Sequence, residues 1–169
     1  VNPFRKTLSA AVLAGAAVLA VTSAAQGANA QPSAGPVWCT SAHIDVKAHD
    51  AHSPSKTDKL FWIRFTAKEG ANCKIGGTLS NVRFVDTNGN DVGARLTGGQ
   101  NGKYVELPVD GVREAAVYVT TKRGGQRFAP AGIIFNLPGQ GRLGDLVKLP
   151  WPSDLGEFVT VTDLMAPVS

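Results

Sequence analysis

The feature that most constrains this chain is a repeated two-residue alternation with no helical window behind it. In Leu60 to Ala67, Phe61, Ile63 and Phe65 fall on one face, and Trp62 and Arg64 on the other. In Val37 to Lys47, Ala42, Ile44 and Val46 alternate with His43, Asp45 and Lys47. Glu114 to Thr121 sets Val117 and Val119 against Tyr118 and Thr120. Period-2 runs put apolar side chains on one face of a pleated strand and polar ones on the other. Gly76-Gly77, Asn88-Gly89, Val109-Asp110-Gly111 and Pro138 to Gly144 punctuate them as kinks, turns or loops. Asn88-Gly89 predicts a type I′ hairpin, because both central residues of that turn need positive φ. Leu79 to Asp86, Val92 to Leu96, Tyr104 to Leu107, Gly132 to Leu137, Leu146 to Leu149 and Glu157 to Leu164 read as further strands, and Ala48 to Lys59 as an exposed loop. Short strands without intervening helices predict an all-β, Ig-like antiparallel β-sandwich of about eight strands; a small β-barrel is the competing architecture.

The first 30 residues follow different rules. Arg5 and Lys6 precede an apolar run from Leu8 to Val21, and Ala28-Asn29-Ala30 is a small-x-small site. This is the layout of a cleaved secretory signal peptide, residues 1–30. The run is shorter than the ~20 residues a spanning helix needs. Residues 31–36 read as a flexible lead-in and 37–169 as one domain, not membrane-spanning after cleavage and secreted to the extracellular side. The leader holds two of the 17 basic residues and none of the 13 acidic ones, which leaves 15 against 13, a net charge of +2. Near-neutrality gives no electrostatic footprint for nucleic acid or an anionic membrane.

Cys39 and Cys73 are the only cysteines. In an oxidising compartment such a pair most often forms a disulfide bond, the alternative being two buried free thiols. The densest polar chemistry is His43, Asp45, His49, Asp50 and His52, which includes every histidine of the chain. Imidazole with carboxylate suits zinc or copper, so His43, Asp45, His49 and His52 form a candidate metal set. Its competitor is a merely polar strand and loop. No Gly-x-Ser-x-Gly elbow frames a nucleophile, and no carboxylate pair is marked out by context; no catalytic residue is expected. Lys122 to Arg127 contains an Arg-Gly-Gly triplet, read as a basic hairpin loop rather than a nucleic-acid segment. Trp38, Trp62 and Trp151 offer aromatic surface for a glycan or peptide, with packing as the ordinary alternative.

Several short motifs recur in a familiar order. They are Cys39, the strand Phe61 to Phe65, Cys73-Lys74-Ile75-Gly76-Gly77, a strand ending at Asp86 with Gly89 in the next turn, Leu107-Pro108, and Phe135-Asn136-Leu137-Pro138-Gly139. Over most of Trp38 to Val168 the chain resembles a secreted actinobacterial family catalogued as domain of unknown function 4232. The resemblance implies an exported β-sandwich with a 39–73 bridge, and it transfers no activity and no functional residue. Two features depart from it: a second, late cysteine pair is missing, and Thr78-Leu79 stands where a proline is often found. The sequence therefore predicts a monomeric, non-enzymatic binding module without a cofactor. Its partner would be a protein or envelope polymer, and an exported metal-binding module is the alternative.

Overall fold

The computed structural model describes residues 35–168. The signal-peptide reading, and most of the lead-in, lie outside them. Among the described residues every regular element is a strand: β1 (Val37–Trp38), β2 (Ile44–Ala51), β3 (Asp58–Ala67), β4 (Cys73–Ile75), β5 (Ser80–Val85), β6 (Arg95–Leu96), β7 (Leu107–Val109), β8 (Ala115–Lys122), β9 (Arg127–Phe128), β10 (Gly132–Pro138), β11 (Leu143–Pro150), β12 (Leu155–Gly156) and β13 (Phe158–Val161). Among the described residues no helix is long and apolar enough to cross a membrane.

One sheet has the order β2-β3-β8-β13-β6 and a second has β11-β10-β5. Counting only the long strands, this is the A-B-E and G-F-C arrangement of an Ig-like sandwich, with β13 on the far side of β8. A small sheet, β1-β4-β7, and a ribbon, β12-β9, complete it. The long ladders are antiparallel; the short pairs β1/β4 and β13/β6 are parallel. The two-residue strands raise the number of segments above the eight or so the pattern shows, because such pieces are too short to carry a period.

Alternation explains the core. Phe61, Ile63 and Phe65 of β3, with Val117 and Val119 of β8, are completely buried. They face Phe84 of β5 and Ile133, Phe135 and Leu137 of β10, which are buried too. Phe65 meets Phe135 edge-on, with centroids 6.2 Å apart. Trp151 plugs the other end, 4.6 Å from the Phe61 ring and 4.9 Å from Phe84. Burying one large apolar side chain contributes roughly 1.5–3 kcal/mol, so this interlocked group is the main source of stability. Gly132 to Leu137 is expected to be covered on both faces; Ile134 and Asn136 are only half-buried, since the outer face of β10 is partly open.

Cys39 and Cys73 are disulfide-bonded, with Cα atoms 5.0 Å apart. The bond joins the parallel β1/β4 pair, where Val37 lies opposite Cys73 and the Cys39 amide donates to the Lys74 carbonyl at 2.8 Å. Gly76 and Gly77 make the expected kink. A Cβ on Gly76 would lie 2.2 Å from the Val105 carbonyl oxygen, and Gly77 has φ +88°.

Asn88-Gly89 also turns the chain, but not as a type I′ turn, since only Gly89 of the two has positive φ. The Asp86 carboxylate organises it instead, its Oδ1 accepting the amides of Asn88 at 2.8 Å and Asn90 at 2.9 Å. Such an Asx arrangement replaces the backbone requirement. The returning segment does not build a long ladder with β5. It pairs only as a single bridge, Val85 to Asp91, and then crosses to β13 as β6. The loop expected over residues 48–59 is shorter, because the β2/β3 ladder continues until Ala51 lies opposite Leu60.

Candidate functional site

In β2, β3 and β8 the side chains that do not enter the core form the outer face of the larger sheet. The register is continuous: His49 lies opposite Trp62, and Trp62 opposite Tyr118. Three rings therefore stand in a row across three strands. The His49 and Trp62 centroids are 6.0 Å apart. Those of Trp62 and Tyr118 are 6.5 Å apart, with ring planes within 20° of parallel. Trp62 and Tyr118 are half-buried.

Neighbours hold this row in place. The Arg64 guanidinium sits over the Trp62 ring at 4.7 Å, a cation–π contact. Arg64 is itself bound to Glu114, Nε donating to Oε2 at 3.0 Å. The Tyr118 hydroxyl accepts the Val168 amide at 2.9 Å, so the 165–168 segment closes one rim.

A cavity of about 670 Å³ lies along Trp62 and Tyr118, on the side of Leu60 and Thr120 rather than of Arg64. Its outer wall is the hairpin turn at 52–55. Asp50 and Asp58 border it, but only Asp58 is on the outward phase; Asp50 lies opposite the core residue Phe61, so its carboxylate is on the other side of the sheet. Asp50 Oδ1 accepts the Ser153 hydroxyl at 2.7 Å, and Ser153 accepts from Lys59 Nζ at 2.6 Å. Asp58 Oδ1 pairs with Lys122 Nζ at 2.7 Å. That hydrogen bond is the main influence holding the Asp58 carboxyl below its ordinary value. The pocket thus combines an apolar aromatic wall with the held Asp58 carboxylate at its edge, the general makeup of a small-ligand site.

The predicted metal set is dispersed. His43 precedes β2, and its Nδ1 accepts the Thr40 amide at 3.3 Å. Six extended residues, about 20 Å at the strand rise, separate it from His49. Asp45 is exposed at the start of β2, opposite Thr66. His49 belongs to the aromatic row, and only His52, with Asp50, borders the cavity. Among the described residues no group of three His, Cys, Asp or Glu side chains is placed to hold a metal ion. Closeness in sequence misleads here because the segment is an extended strand, which spreads its residues instead of gathering them.

The tryptophans separate as well. Trp151 is core, and Trp38 packs beside Tyr104 at 6.1 Å on the small sheet. Trp62 alone of the three lines this cavity. Tyr118, its partner, is not singled out by the sequence; the usable signal is its place on the polar phase of β8. In the basic segment Lys122 pairs with Asp58, and Arg127 with Asp154. No family model, curated protein or solved structure matches the chain.

Proposed function

We propose that this chain is an exported, non-enzymatic binding module of the cell envelope or extracellular space, and that it binds through the outer face of β2, β3 and β8. The observation that carries this reading is the immobilised pair Trp62 and Tyr118 beside a cavity of about 670 Å³. Aromatic side chains that stay half-exposed while their neighbours hold them lose little freedom on binding, so more of each contact appears as affinity. The disulfide and the leader-like first 30 residues support the extracellular side. The state of Asp58 supports binding rather than hydrolysis. A carboxyl whose proton affinity is lowered by Lys122 is a poor general acid, and glycoside cleavage needs one.

Affinity capture from the producing cell's envelope and medium tests the reading. The native protein is expected to retain a component that the Trp62→Ala/Tyr118→Ala variant does not, with both proteins showing the same circular dichroism. Equal retention by the two, or none by the native protein, overturns it.

A further inference from the structure

We infer that the cavity beside Trp62 and Tyr118 is a subsite for a neutral saccharide, an inference that rests on reading this face as the binding surface. Four observations select that ligand class. The first is the wall. Trp62 and Tyr118 present ring surface from adjacent strands, with planes within 20° and centroids 6.5 Å apart. The C–H-bearing face of a sugar ring is a flat apolar surface of matching kind.

The second is charge. Among the described residues, none of those lining the cavity is a lysine or arginine. An acidic glycan, a phosphate or a nucleic acid would meet the Asp58 carboxylate there, and burying like charges together is unfavourable. The third is how that carboxylate is already compensated. Lys122 neutralises Asp58. A cationic ligand would have to compete with Lys122. A hydroxyl needs only a spare lone pair, and an ionised carboxylate has about four. The Asp58 carboxylate and the Thr120 hydroxyl therefore offer acceptors at the cavity edge for the hydroxyl donors of a polyol.

The fourth observation separates a saccharide from an extended peptide. A peptide that adds to a sheet needs free backbone donors and acceptors at a strand edge. The cavity instead lies over the sheet face, where β3 is paired without a break to β2 from Leu60 to Ala67 and to β8 from Asp58 to Phe65. Side chains are what this face offers, and they are arranged as an aromatic wall with acceptors.

The test is a titration of the purified protein with neutral gluco-, manno-, galacto- and arabino-oligosaccharides. It is read by tryptophan fluorescence and by the Trp62 indole N–H signal in a ¹⁵N-correlation spectrum. Oligogalacturonate and a decaproline peptide are the controls. At least one neutral oligosaccharide should saturate the Trp62 signal, with an affinity unchanged by added salt. That affinity should fall tenfold or more in Trp62→Ala and in Tyr118→Ala. Trp62→Phe keeps a ring and should retain part of it, which separates loss of the wall from loss of fold. The inference is overturned if no neutral sugar binds, or if the alanine variants bind it as well as the native protein does. It is also overturned if oligogalacturonate binds better. Should decaproline saturate Trp62 while the sugars do not, the saccharide assignment falls and the binding face stands. If the partner captured from the envelope is also indifferent to Trp62 and Tyr118, both fall.

Discussion

Trp151 ties the two sheets together from near the surface. It is 6% exposed, and it touches Phe61 of one sheet and Phe84 of the other. It lies between two prolines, in the connection that follows β11, yet its ring closes the end of the core. Trp151→Ala should therefore cost about 3–5 kcal/mol, the range for removing a large buried aromatic. Its indole nitrogen is buried without a hydrogen-bond partner. An unpaired buried donor is itself destabilising. Trp151→Phe loses some volume but also loses that donor, so it should cost clearly less than the alanine change. Urea midpoints of the two variants check this ordering; equal losses would show that the ring's size is not what holds the sheets together.

Elements are tied to one another by a few ion pairs whose pH dependence has a definite sign. Asp154, just before β12, accepts from Arg127 of β9 and from Lys59 of β3, the latter at 2.8 Å. Its carboxyl is held far below the ordinary value, first by Arg127 and then by Lys59. A depressed carboxylate adds stability that is fully present above its unfolded pKa, about 3.9, and is lost as pH falls through the folded value. Asp110, held down to about 2 by Arg113 and two turn amides, acts in the same sense. Asp154→Asn should therefore be less stable than the native protein at pH 6, with the difference shrinking between pH 4 and pH 2. Because Asp154 is 43% exposed, each pair is worth no more than about 1 kcal/mol. Urea unfolding of both proteins at pH 6 and pH 2.5 measures it, and a gap that stays constant would remove Asp154 as the cause.

The same scale shows what the sequence could and could not convey. β3 and β8 are readable because their alternation is long and their inward residues are large. β6, β9 and β12 are not, since two residues have no period. The site is half readable for a related reason. Trp62 stands out as an aromatic on a polar face, but Tyr118 becomes its neighbour only through the β3/β8 register, a long-range pairing with no local mark. Around the histidines the error runs the other way: a cluster in sequence becomes a line along a strand.

Across the whole molecule, the disulfide and the candidate site occupy opposite ends of one hairpin. In the fold, the β2/β3 ladder runs from Ile44 opposite Ala67 to Ala51 opposite Leu60. That is about 24 Å of strand at 3.4 Å per residue. The bridge sits beyond the first end, and the 52–55 turn bounds the cavity at the second. Stability and binding should then respond differently to reduction. Opening a loop of this length removes about 3–4 kcal/mol in the chain-entropy model. The expected result for Cys39→Ser/Cys73→Ser is a loss of that order in urea unfolding. At temperatures where the variant remains folded, the Trp62 fluorescence response to a bound oligosaccharide should match that of the native protein. Intact mass provides the control, since the oxidised native protein should be two daltons lighter than its reduced form. Loss of the Trp62 response in a still-folded variant would mean that the bridge shapes the cavity through the length of the hairpin. An unbroken ladder of backbone hydrogen bonds argues against that, because it fixes the spacing of His49, Trp62 and Tyr118 whether or not the far end is tied.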